Sequence, residues 1–337
     1  MLYPMKLDPA RGRVLQIEMD EAAFRAASFL DDRMLTPATK GAWAPLPAVM
    51  AASEAQPGTC PLHFIFHTGH VGSTLVSRLL DETGQVLSLR EPLPLRSLAA
   101  LQDEIRWASP NAPDQTQLDA LFAMFVRLWR RGFANNRAIV LKATSSSARV
   151  APQLLNTAPE AKAIYLNLRP EPWLATLLAG ENSAVDLKGH GPERLRRLRT
   201  LLQSPLPSID SLSAGELAAV SWLAETSTQL ALLRNTGGRV LPVDFDAFLA
   251  NVPGHMQRIL VHFNLPQDAQ FLAGITRSPV LTRYSKEPEH PYDTGLRNAV
   301  LNDSRMRNRD QIVSGMRLLE RLVRTEPGVA ALFAAKQ

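Results

Sequence analysis

One cysteine, Cys60, is all that the 337 residues contain, so no internal disulfide can form and no cysteine-based metal site can be built. A reducing compartment suits such a chain. The N-terminus, MLYPMKLDPARGRV, lacks the basic start and apolar core of a secretory signal, and no later stretch stays uncharged for the length of a membrane span. The expectation is a soluble, cytoplasmic protein that meets no membrane. Also missing is any run that alternates aromatics with Lys or Arg, the pattern of a single-strand nucleic-acid groove. The densest basic cluster, Arg194 to Arg199, reads as a solvated helix face. The excess of basic over acidic residues, 37 against 32, favours an anionic partner without implying nucleic acid. There is no internal repeat and no long low-complexity tract.

The length predicts one large domain with an N-terminal extension. Residues 1–58 read as that extension: RVLQIEM as a short strand, DEAAFRAASFLDDRML as a helix opened by Asp20, and WAPLPAVMAASEAQPGT as a connector. No chemistry is expected there. Residues 59–337 read as an α/β domain. LHFIFHT, AIVLKAT, AKAIYLNLR and GRVLPVDF are compact apolar runs of strand length, separated by helical stretches. Parallel strands need such crossovers, so the pattern predicts a three-layer α/β/α domain around a central parallel sheet. Residues 185–220 carry Gly, Pro, Ser and the basic cluster without strand patterning and are expected to form an insertion or lid. The tail QIVSGMRLLERLVRTE is an amphipathic helix.

Ligands of parallel sheets bind beyond the carboxyl ends of the strands. There, FIFHTGHVGSTLVSRLL puts Gly69 and Gly72 in a turn and Ser73 and Thr74 on the first turn of a helix. Unpaired N–H groups and the helix dipole make such a start a phosphate site, although a plain turn with Ser73 as N-cap has the same pattern. It is not a Walker A loop, because no Lys lies between Gly69 and Thr74.

HTGHVGSTLVSRLL resembles the 5'-phosphosulfate loop of sulfotransferases of the bacterial type, which have a P-loop NTPase-like fold and use 3'-phosphoadenosine 5'-phosphosulfate (PAPS) as co-substrate. The resemblance implies that His70, Val71, Gly72, Ser73 and Thr74 hold the donor's 5'-phosphate end, with His70 standing where the family has a cation. AIYLNLRPEPWLATLL resembles the family's second element. There Arg169 would hold the 3'-phosphate, assisted by Thr176 or, more distantly, Ser183. RVLPVDFDAFLANVPGHMQRILVHFNLP resembles a third, architectural element, whose Asp244 and Asp246 read as helix caps. Tyr284, Ser285, Lys286 and Arg297 lie where the family closes a C-terminal loop over the donor.

Sulfuryl transfer needs cations on the leaving phosphate and a base for the acceptor's proton. Lys142 matches the family lysine at the end of the second strand, but the position of the associated His holds Thr144. The resemblance to branches that use a glutamate points instead to Glu91, kept ionised by Arg90 and Arg96, or merely salt-bridged to them. No metal is expected: only His63 and His67 share a strand face, without a carboxylate nearby. The implied activity is transfer of a sulfonate to a hydroxyl or amine of a small molecule, glycan or peptide. The alternatives are a nucleotide-dependent phosphotransferase, such as a kinase, or a nucleotide-binding module without catalysis.

Overall fold

The structure, a computed structural model, describes residues 1–110, 112–180, 183–204 and 206–334, with the Phe333 side chain left out of account. The chain opens with an antiparallel sheet, β1 (Leu2–Asp8), β2 (Arg13–Glu18) and β3 (Gly41–Pro45), in the order β1-β2-β3. Two short helices belong to this part, α1 (Glu21–Ala26) and α2 (Leu46–Ala55). Asp20 caps α1 as expected, accepting from Ala23 N–H. The expected longer helix stops at Ala26, because Leu30 N–H is drawn to Arg90 O at 2.7 Å and Leu30 O accepts from Leu93 N–H at 3.1 Å. The stretch expected as a connector holds β3 and α2.

The central sheet is built from β4 (Leu62–His67), β5 (Val86–Arg90), β6 (Ala138–Lys142), β7 (Ala163–Asn167) and β8 (Val240–Asp244). All neighbours pair in parallel in the order β5-β6-β4-β7-β8. The helices between them are α3 (Ser73–Asp81), α4 (Leu93–Arg106), α5 (Gln115–Trp129), α6 (Ala151–Thr157), α7 (Pro170–Ala179), α8 (Ser183–Leu198) and α9 (Ala214–Asn235). After β8 follow α10 (Phe245–Ala250), α11 (Val252–His262), α12 (Ala269–Gly274), α13 (Thr294–Arg307) and α14 (Arg309–Thr325). The expected three-layer α/β/α architecture is therefore present.

One core layer, including Phe64, Phe66, Leu98 and Phe122, also takes in Tyr3, Met5 and Val14 from the N-terminal sheet. The other, on the opposite face, includes Ile65, Val140, Trp222 and Met256. Burial of each such large apolar side chain contributes about 1.5–3 kcal/mol. Residues 185–220 hold most of α8 and the start of α9; the basic cluster is not a wholly solvated face, because Arg194 is buried and Arg197 donates to the buried Glu225 Oε1 at 2.9 Å, tying α8 to α9. Among the described residues no helix is long and apolar enough to cross a membrane.

Because β4 lies between β6 and β7, the path from β4 leaves in one direction and the chain later crosses to the other side. This is the switch point at which the loop after β4 opens into a crevice.

Candidate active site

The loop between β4 and α3 has its backbone in left-handed conformations at Gly69, His70 and Gly72 (φ 93°, 54° and 68°). Gly72 is also the N-cap of α3, and a Cβ there would collide with the Phe245 ring. Two side chains pin the turn. Trp173 Nε1–H donates to Gly69 O at 2.8 Å, and His67 Nδ1 accepts from Gly69 N–H at 3.0 Å. His67 Nε2 therefore carries the ring proton and donates to Ala143 O at 2.9 Å. Burial, followed by the Lys142 ammonium, pushes His67 down to about 3, so the ring stays neutral.

The first helical hydrogen bond of α3 runs from Val76 N–H to Gly72 O at 3.0 Å, which leaves the N–H groups of Ser73, Thr74 and Leu75 without intrahelical acceptors. Thr74 Oγ1 is buried and has no partner. A buried hydroxyl without a partner carries a desolvation cost of about 1–3 kcal/mol, which an anion seated in the loop would relieve. The donor set thus fits a phosphate.

The loop forms one wall of a cavity of about 960 Å³. Opposite walls come from Glu91 and Lys142, from Thr176, from Phe245–Pro253 and from residues 280–301, including Tyr284, Ser285, Lys286 and Arg297. His70, Val71, Gly72, Ser73 and Thr74 all line it. His70 opens onto the cavity and is exposed to solvent, yet protein crowded around its ring, and then the Lys286 ammonium, lower its imidazole from the usual 6.5. Lys286, which also lines the cavity, brings a positive charge to the side of the loop where His70 stands.

Glu91 directly follows β5 and is itself in the left-handed region (φ 55°), held by its N–H donating to Lys142 O at 2.7 Å. Its Oε1 accepts from Lys142 Nζ. Its Oε2 accepts from Arg96 Nη2 and Thr144 Oγ1, each at 3.3 Å. Burial would raise this carboxyl, but the Lys142 ammonium and then its hydrogen bond overcome that and bring it down to about 2. Arg90, expected beside it, points elsewhere: successive residues of a strand face opposite sides, and Arg90 pairs with Asp81 and donates to Ala27 O at 2.8 Å. Lys142 takes its place.

Arg297 Nη2 meets Asp246 Oδ1 at 2.8 Å, and its Cζ lies 5.2 Å from the Phe245 ring centre, over the ring that packs on Gly72. Thr176 lines the cavity with its hydroxyl donating to Pro172 O at 2.7 Å. Tyr284 faces Tyr292 with ring centres 5.4 Å apart. Arg169 differs from the expectation. It lies at the expected carboxyl end of β7, as N-cap of α7, but is exposed and is not part of the cavity lining. Ser183 is buried and spends its hydroxyl on Leu177 O. His63 accepts from Lys162 N–H at 3.2 Å and stacks on Phe263, so each strand histidine has a backbone partner. The sequence reading missed the loop-pinning roles of His67 and Trp173, for which no local signal exists.

The chain matches no protein-family model, and no curated protein matches it in sequence. Among solved structures it is similar to sulfotransferase STF9 from Mycobacterium avium, with 14% identity, 86% of this chain and 91% of that chain covered, and a TM-score of 0.41. It is also similar to mouse sulfotransferase SULT7A1 complexed with PAP, at 12% identity, 85% and 93% coverage and a TM-score of 0.40. A third is the sulfotransferase domain from the Synechococcus PCC 7002 olefin synthase, at 17% identity, 74% and 90% coverage and a TM-score of 0.39. At such identities, function has to be argued from the residues of this chain.

Proposed function

We propose that this protein is a cytoplasmic, PAPS-dependent sulfotransferase, acting on a hydroxyl or amine of a small molecule, glycan or peptide. The observation that carries the reading is the unpartnered Thr74 hydroxyl at the α3 N-terminus, in a cavity that Lys142, Lys286, Arg297 and Glu91 also line. In this reading the loop amides, Thr74 and Lys286 bind the 5'-phosphate end, and Arg297, whose Nη2 already donates to Asp246 Oδ1, takes a second phosphate with its remaining N–H groups.

In the reaction, the acceptor oxygen or nitrogen attacks sulfur as the bond from sulfur to the phosphate oxygen breaks, and the electron pair leaves with adenosine 3',5'-bisphosphate. The acceptor's proton passes to Glu91 and then to water. In its resting pair with Lys142 the carboxylate is a weak base, since efficient bases have pKa values near the working pH. An anionic donor in the cavity competes for the Lys142 ammonium. Once released, Glu91 is buried without its strongest partner, and desolvation raises its basicity. Lys142 therefore couples donor binding to activation of the base, and its charge meets the one developing on the leaving oxygen.

The test is calorimetric titration of the protein with adenosine 3',5'-bisphosphate and, separately, with ATP and magnesium. Micromolar binding of the bisphosphate with much weaker binding of ATP is expected. Preference for ATP, or no binding of either, would overturn the assignment.

A further inference from the structure

We propose that Arg78, which lies outside the cavity, is a positioning residue that holds Lys286 over the phosphate loop by donating to the neighbouring carbonyl, Ser285 O. The inference rests on the donor site described above and adds a residue to it that the sequence did not single out.

Arg78 is on α3, one turn beyond Thr74, so the helix whose N-terminus forms the phosphate site also carries this guanidinium. Its Nε donates to Ser285 O at 2.7 Å, across 207 positions of chain. Its Nη2 donates to Ser28 Oγ at 2.7 Å. Ser28 leads into Phe29, whose ring centre lies 6.0 Å from Lys142 Nζ, so one side chain links the hairpin to the segment beside Lys142.

The segment that carries Lys286 is otherwise bonded mainly to itself. Tyr284 N–H donates to His290 O at 2.8 Å, Tyr292 N–H to Thr282 O at 3.0 Å, and Arg283 Nη1 to Pro288 O at 3.2 Å, around a bridge between Arg283 and Pro291. Such bonds give the hairpin its shape without fixing its place. Among the hydrogen bonds of the described residues, the one from Arg78 attaches residues 284–291 to the body of the protein. Arg78 is half-buried and makes no salt bridge among the described residues. Burial, then Arg90, lowers it to about 10, which still leaves it charged at neutral pH. Asp81 and Glu289 act on this cation only at a distance, and its direct bonds go to a carbonyl of the hairpin and to a hydroxyl of the segment beside Lys142.

The experiment uses the full chain and adenosine 3',5'-bisphosphate as the probe. Arg78→Met keeps the aliphatic stem and removes the tether; Lys286→Ala removes the cation. Each variant is expected to weaken binding about tenfold. The double variant should weaken it by about the same factor, rather than the roughly hundredfold that independent sites give. Amide exchange over residues 283–292 should quicken in Arg78→Met while that of β4 and α9 is unchanged. Wild-type affinity in Arg78→Met, a multiplicative double variant or unchanged exchange would each overturn the proposal. Should Arg78→Met fail to fold, the same coupling is read with Arg78→Lys, whose single ammonium reaches fewer acceptors. Absence of bisphosphate binding by the wild type would defeat the donor assignment, while the exchange measurement would still decide the tether.

Discussion

Lys142 and Glu91 are joined twice in the cavity wall: Lys142 Nζ donates to Glu91 Oε1, and Glu91 N–H donates to Lys142 O at 2.7 Å. The backbone link fixes the main chain at Glu91 independently of the side-chain link. Glu91→Gln removes the proton acceptor and keeps the shape. Turnover should fall about 10²–10⁴-fold, the usual contribution of a positioned base, while bisphosphate affinity is kept or increased, because the donor no longer competes with a carboxylate for Lys142. Single-turnover kinetics together with calorimetry check this. Near-normal turnover would remove Glu91 from the chemistry.

Arg297, proposed for the second phosphate, and Arg169, expected there from the sequence, are placed differently. Arg297→Ala should weaken bisphosphate binding by about tenfold or more, as expected for a lost hydrogen bond to a charged group. Arg169→Ala, at an exposed position outside the cavity lining, should stay within about twofold of wild type. The opposite ranking would mean that Arg169 turns inward when the donor binds.

Trp173→Phe keeps the aromatic bulk and deletes the donor to Gly69 O, leaving a buried carbonyl one partner short. A stability loss of about 1–3 kcal/mol is expected from urea denaturation. Bisphosphate affinity should fall with it, because Gly69 begins the left-handed turn. A variant with full stability and full affinity would show that the turn holds itself.

Acid should unfold this protein early. His63 and His67 are both buried and held neutral, at about 4 and about 3 in the fold against the usual 6.5. Between those values and 6.5 the unfolded chain binds protons that the folded chain refuses, so stability falls as pH drops through that window. Two such groups give a slope of about 2.7 kcal/mol per pH unit around pH 5. Glu91, depressed to about 2, adds stability that is present above the usual carboxylate value and lost only below about pH 4.5. Urea midpoints at pH 7.5, 6 and 5 test this; a flat profile would contradict neutral buried imidazoles.

Local pattern made β4, β6, β7 and β8 readable, since each is a compact apolar run that both helical layers cover. Three strands escaped it, among them β3 (GAWAP), whose residues are mostly exposed. β1 lies in a stretch with Pro4 and Lys6 among its apolar residues, and β5 is VLSLR, whose Ser and Arg look unsuited to a core. Both polar residues of β5 are buried because α3 meets them. Ser88 Oγ donates to Ser77 O at 2.9 Å, and Arg90 pairs with Asp81. α1 ends early for a similar reason, its continuation taken by hydrogen bonds to Arg90 and Leu93.

The turn after β4 was legible in the sequence, because glycines, hydroxyls and the start of an amphipathic helix lie within a dozen residues, although Trp173 and Phe245, which pin and cover it, come from far along the chain. Which charges surround that loop was decided by the tertiary structure. Lys142 stands 51 positions from Glu91, and the hairpin that carries Lys286 is tethered from Arg78 across 207. Such distances close only when the sheet order brings strand ends together and a distant hairpin folds back over them. Side-chain direction, set by packing rather than by spacing, then turned Arg90 away from the cavity and brought Arg297 into its wall.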